Sequence, residues 1–149
     1  MTRKVENSIL IPEMAELLRE GKEVRFTPTG VSMRPFIEGG KDVVVLRKLP
    51  EVRVGDIALA AIPHPAGVSY VLHRVIGVQA GTVTLMGDGN IGHTEQCATE
   101  DVLGTVVRIE NAHGRHKHLT RGRLWYHLRP FRRIILKIYR KLLKWQVLK

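Results

Sequence analysis

The chain has 149 residues, 44% of them hydrophobic and 26% charged, with a formal net charge of +10. That length suits one domain with a real core, while its apolar runs are too short and too often broken by charge to cross a bilayer or to act as a signal peptide. A single cysteine, Cys97, excludes an internal disulfide and fits a chain kept in the reducing interior of the cell.

The charge is unevenly placed. Residues 112–149 hold twelve Lys and Arg and no Asp or Glu, so residues 1–111 hold the other twelve cations against all fourteen acids, a balance of −2. The positive excess belongs to a tail and speaks of an attachment surface, not of the body's fold. The chain accordingly divides into a body, 1–111, and a basic linker with a terminal helix, 112–149.

In "SILIPEMAELLREGK" the apolar residues Ile9, Ile11, Met14, Leu17 and Leu18 predict an amphipathic helix over about residues 10–20, with Gly21 as its stop. Six short β-type runs follow: "EVRFTPTG", "DVVVLRKL", "DIALAAI", "SYVLHRVIGVQ", "GTVTLMG" and "DVLGTVVRIEN". Gly, Pro and Asp separate them at turn-like intervals, which predicts a mainly β domain of coiled antiparallel strands. There is no internal repeat, and "GDGN" is too short for a phosphate-binding loop.

From about Arg123 the pattern becomes helical. Phe131, Ile134, Ile135, Ile138, Leu142 and Trp145 share one face, Arg132, Arg133, Arg140, Lys141 and Lys144 lie largely around the other side, and Pro130 suits the first turn. Such a helix either lies on an anionic membrane surface through residues 131–149 or packs its apolar stripe on the β body, and the two readings stand level. Nucleic acid ranks third, since the stripe is broader than phosphate binding requires.

Chemistry concentrates at "TPTGVSMRPF", residues 27–36. A nucleophilic serine needs an exposed hydroxyl, a base to take its proton and N–H donors for the oxyanion. Around Ser32, Gly30 lets the backbone turn sharply beside a substrate, Met33 offers an apolar floor and Pro35 stiffens the chain beyond the site. A Ser-Met pair in a turn is by itself usually just a turn. His73, inside the apolar run "SYVLHRVIGV", is costly to bury without a partner and is the candidate base, although most such histidines are satisfied core residues. Asp88 in "LMGDGN" is placed to orient the ring, against the plainer reading of a hairpin turn. "HGRHKH", with His113, His116 and His118, is interleaved with cations that repel a metal, so it reads as a solvated linker. Cys97 has no activating cation beside it in sequence and reads as a bystander.

Taken in order, "GVSMRPFIEGGKDVVVL", "VRVGDIALA", "VLHRVIGV" and "LMGDGN" resemble the successive boxes of the signal peptidase I and LexA-like serine peptidase superfamily, from about Val24 to Val107. The Ser-Met-x-Pro box is the most specific of these. The resemblance implies a coiled, mainly β fold with Ser32 as nucleophile and Asp56 in a structural turn. Where bacterial signal peptidases and LexA-type repressors carry a lysine base, this chain has His73, similar to the endoplasmic-reticulum, archaeal and sporulation-type signal peptidases. By the same resemblance His73 is the general base, and the backbone N–H of Ser32 belongs to the oxyanion hole.

Three departures stand beside the likeness. The family's further aspartate beyond the Gly-Asp-x-Asn box falls in "IGHTEQCATED", leaving Asp88, Glu95 and Asp101 as candidates for the third member, Asp88 first. Signal peptidases carry an N-terminal membrane anchor that this chain does not show, so membrane contact would fall to the C-terminal helix. The leading segment is short for a helix-turn-helix, and "PAGV" at 65–68 reads as a hairpin turn before it reads as a self-cleavage site. The expectation is a cytoplasmic serine endopeptidase, with peripheral attachment to the inner face of the membrane as one of the two readings of its terminal helix, cleaving a leader or signal-like peptide without metal or cofactor. Gly30, Met33 and Pro35 are the expected substrate contacts. The competing readings are a catalytically idle peptide- or membrane-binding module and a self-cleaving regulator.

Overall fold

The computed structural model describes residues 7–90, 92–117, 128 and 131–147. Helix α1, Asn7–Arg19, starts ahead of the predicted residue 10 and buries Ile11, Met14, Ala15 and Leu18. These positions stand at i, i+3, i+4 and i+7 and therefore share a face. The helix ends at Gly21, whose N–H donates to the Leu18 carbonyl at 3.0 Å while the N–H of Lys22 donates to Leu17 at 3.1 Å. Those paired reversed bonds satisfy carbonyls that the last turn leaves open.

Among the described residues eight strands follow: β1 Val24–Phe26, β2 Val43–Arg47, β3 Ile57–His64, β4 Gly67–Gln79, β5 Thr82–Met86, β6 Glu95–Ala98, β7 Val102–Glu110 and β8 His116–Lys117. Every pairing is antiparallel, in the order β1-β2-β7-β3-β4-β5-β6, with β8 added to β7. The protein is mainly β, as expected. The six predicted runs are β1–β5 and β7. The "PAGV" stretch forms the β3–β4 hairpin, His64 pairing with Gly67.

Successive residues of a strand point to opposite faces, yet Val44, Val45 and Leu46 in β2 and Ile57, Ala58, Leu59 and Ala60 in β3 are all buried. The sheet therefore covers apolar side chains on both faces. One core gathers Met14 and Leu18 of α1 with Met33, Ile37, Leu46 and Leu59. The other gathers Ala58, Ala60, Val75, Val83, Leu85 and Cys97. The loop bearing Ser32 is anchored in the first.

Helix α2, Arg132–Val147, packs on the body, but with most of the predicted stripe left outside. Leu136 is buried at 2% exposure, and Ile135, Tyr139 and Leu143 are half-buried, whereas Phe131, Ile134, Ile138, Leu142 and Trp145 are exposed. Pro130, expected in the first turn, lies outside the described residues. Among the described residues no helix is long and apolar enough to cross a membrane.

Candidate active site

Ser32 is carried by the connection between β1 and β2, which is tied down from several sides. The Gly40 N–H donates to the Pro28 carbonyl at 2.8 Å, and the N–H groups of Phe36 and Ile37 both donate to Met33 at 3.0 Å. The buried Asp42 carboxylate accepts the Glu38 N–H at 2.7 Å. Gly30 takes a φ of +87°, and Gly39 lies so close that a Cβ built there would stand 2.0 Å from the Gly30 carbonyl oxygen. The turn 87–90 supports the other side of the loop. Its Gly89 N–H donates to the Ser32 carbonyl at 2.8 Å, and a Cβ on Gly87 would meet that same oxygen at 2.6 Å.

His73 sits on β4 at 7% exposure. Its Nε2 lies 3.1 Å from Ser32 Oγ and its Nδ1 lies 2.9 Å from Glu95 Oε2. A carboxylate can only accept, so Nδ1 donates the proton and the Nε2 lone pair is left to receive the Ser32 hydroxyl. The other Glu95 oxygen, Oε1, lies 3.4 Å from Nε2 of His93, an exposed histidine that sequence reasoning did not single out.

The carboxylate at the ring is Glu95, and the first choice for that place, Asp88, is corrected by strand register. Val75 of β4 faces Leu85 of β5, which faces Glu95 of β6. Cross-strand partners share a face, and so do residues two apart, which puts His73 and Glu95 on one side. Arg74 is one step out of phase and faces Met86. It points to the opposite side, and there it holds Asp88: Arg74 Nε donates to both carboxylate oxygens at 2.9 and 3.2 Å and Nη2 donates at 2.7 Å. Both residues are buried. Arg74 Nη1 donates to the Gly55 carbonyl at 2.8 Å, and the guanidinium stands 5.2 Å from the Phe36 ring centre. Asp101, the third candidate, accepts the Ala98 N–H at 3.3 Å in a short 3₁₀ turn, Thr99–Asp101. Asp56 closes the turn before β3 by accepting the Arg53 N–H at 2.9 Å.

Two clefts meet at Ser32. The first, of about 230 Å³, is lined by Gly30, Met33, Ile37, Leu59, Leu72 and His73 among others. Met33 is buried there at 4% exposure, as an apolar floor requires. Tyr70, Val71, Leu72 and His73 all line this cleft. They pair with β3 along one edge, while β5 joins β4 only from Arg74 onward. Among the described residues their second edge carries no strand. The other cleft, about 340 Å³, lies between Gly30–Ser32, Gly89–Asn90 and α2. Pro35 lines neither of these clefts, and Pro28 lines the first.

Cys97 lies on β6 facing Val83, buried, with its thiol pushed up by that burial and by the nearby Asp101 carboxylate. His113 and His116 are exposed, and His118 lies outside the described residues. Comparison of the chain with protein-family models, curated proteins and solved structures gives no match.

Proposed function

We propose that this protein is a serine endopeptidase of signal-peptidase type that cleaves a leader or signal-like peptide. The observation that carries the reading is the hydrogen-bonded line from Ser32 Oγ through His73 to Glu95. A binding module has no need of a buried histidine bridging a hydroxyl and a carboxylate. The antiparallel sheet, buried on both faces, supports the coiled fold of the signal peptidase and LexA-like superfamily that the sequence boxes resemble.

In this reading His73 Nε2 takes the Ser32 proton as Oγ attacks the scissile carbonyl carbon. The tetrahedral oxyanion is met by the Ser32 N–H. Collapse breaks the C–N bond, and His73 gives its proton to the leaving amine. Water, deprotonated by the same nitrogen, then attacks the acyl ester and frees Ser32. Glu95 keeps the ring in the tautomer that each proton transfer needs. The substrate binds extended, as a strand added to the open edge of Tyr70–His73, with small side chains near the cut.

The test is cleavage of a peptide library by the wild type, Ser32→Ala and His73→Ala, read by mass spectrometry. The reading expects cuts by the wild type alone. A wild type that cuts nothing, as the two variants do, turns the assignment to an idle peptide-binding module. Two fragments of the chain itself, from Ser32-dependent loss of intact mass, turn it to a self-cleaving regulator.

A further inference from the structure

Helix α2 has two apolar faces and uses only one of them to sit on the body. At roughly 100° per residue, Leu136, Tyr139 and Leu143 fall on one side, where they line the cleft beside Ser32. Arg140 reaches from the same region to the Gly89 carbonyl at 3.4 Å. Phe131, just before the helix, and Ile134, Ile138, Leu142 and Trp145 form a second stripe, each between 55% and 64% exposed. Arg133, Lys137, Lys141 and Lys144, all exposed, occupy the remaining side and border that stripe. The helix contains no Asp or Glu.

Five large apolar side chains in one exposed row mark an interaction surface, and the charge beside them selects its occupant. We propose that α2 lies flat on an anionic bilayer, its stripe in the headgroup–acyl boundary and its lysines and Arg133 at the level of the lipid phosphates. A second copy of the chain fits less well. A two-fold contact through this stripe would bring two cationic faces together with no acid on either helix to neutralise them. A nucleic acid would use the cations but leave the stripe in water. The opposite side of α2 touches the turn that supports Ser32, so docking would hold the Ser32 clefts about one helix diameter, roughly 10 Å, from the lipid. Leader or signal-like segments that are themselves drawn to a bilayer would then meet the serine at the interface.

The test is co-sedimentation of the full chain with vesicles of phosphatidylcholine alone and of equal parts phosphatidylcholine and phosphatidylglycerol, in low and high salt. Binding is expected to the anionic vesicles only, and to weaken with salt. The Ile138→Glu/Leu142→Glu variant should lower the apparent partition at least about tenfold. Lys137→Gln/Lys144→Gln should lower it by about fivefold for each charge removed. These positions are exposed, so unchanged melting curves show that the variants fold. Absence of binding, or binding that neither variant reduces, overturns the proposal. So does a dimer in light scattering that Ile138→Glu/Leu142→Glu dissolves while vesicles fail to sediment the wild type. The same experiment on Ser32→Ala protein should give wild-type binding, so a chain that binds vesicles and cuts nothing refutes the peptidase and leaves the docking in place.

Discussion

Glu95 Oε2 reaches to 2.9 Å from Nδ1 of His73, across the width of β5, because Val75, Leu85 and Glu95 stand in one cross-strand row. Replacing Glu95 with Gln keeps the shape but offers Nδ1 an amide N–H as readily as a carbonyl, so the tautomer with its proton on Nε2 is no longer excluded. That tautomer cannot accept from Ser32. On the proposed mechanism, Glu95→Gln should lower kcat/KM by about 10²- to 10⁴-fold with little loss of stability. Steady-state kinetics beside a thermal melt checks both halves. Full activity in the variant would remove Glu95 from the mechanism.

Asp88 should behave in the opposite way. Its carboxylate receives three hydrogen bonds from Arg74 and is fully buried. Asp88→Ala leaves a guanidinium in the interior without that counter-charge, at a cost of about 3–5 kcal/mol. For a chain of this size that lowers Tm by roughly 10 °C or more. Exchanging both partners for apolar residues of similar volume, Arg74→Met with Asp88→Leu, should recover most of the loss, because a buried pair contributes little net stability over apolar packing. A single variant as stable as the wild type would contradict this account of the pair.

What the sequence disclosed follows from the reach of its signals. Strands β1–β5 and β7 were legible because β-branched and apolar residues alternate with turn-forming Gly, Pro and Asp. Strand β6, "EQCA", was not. Only Cys97 of its four residues is buried, and so short a stretch has no period to read. Asp88 ranked ahead of Glu95 because its Gly-Asp turn is the part that matches the resembled box, whereas only the β5–β6 register shows which carboxylate shares a face with His73. The "GDGN" turn drew attention correctly but for the wrong atoms, since its glycines and the Gly89 N–H hold the Ser32 loop while its aspartate serves Arg74. For α2 the hydrophobic period identified a helix and an apolar stripe. Which of two apolar faces meets the body is a tertiary outcome that periodicity does not encode.

The closeness of Gly39 to Gly30 gives a test of the loop itself. A methyl group at Gly39 would stand 2.0 Å from the Gly30 oxygen, 2.8 Å from its nitrogen and 2.9 Å from its carbonyl carbon, all backbone atoms that cannot swing aside. Gly39→Ala must therefore push the 28–40 turn apart and shift Ser32 from His73. Overpacking of this kind costs about 1–3 kcal/mol. A serine-directed fluorophosphonate should label Gly39→Ala at least about tenfold more slowly than the wild type at a temperature where both are folded. By contrast Gly40→Ala, whose new Cβ would meet open space, strains only a backbone of positive φ and should label at nearly the wild-type rate. Equal rates for all three proteins would show that the glycine contact does not position the serine.

Cys97 supplies a pH-dependent readout of β6, the strand that begins at Glu95. Burial, with the Asp101 carboxylate nearby, raises the thiol above its usual range. An unfolded chain releases this proton near the ordinary thiol value, about 8.5, while the folded chain still holds it. Over that window the unfolded state binds fewer protons than the folded one, so stability falls as pH rises, and the loss is complete only above the raised value. Cys97→Val has no thiol to titrate and keeps an apolar group against Val83. Urea midpoints measured from about pH 7 to about pH 10 should therefore fall more steeply for the wild type than for Cys97→Val. Parallel curves would mean that the thiol is as free to ionise in the folded chain as in the unfolded one, and hence that β6 opens readily. A β6 that opens could not hold Glu95 against His73, so the slope difference and the proposed activity should appear or fail together.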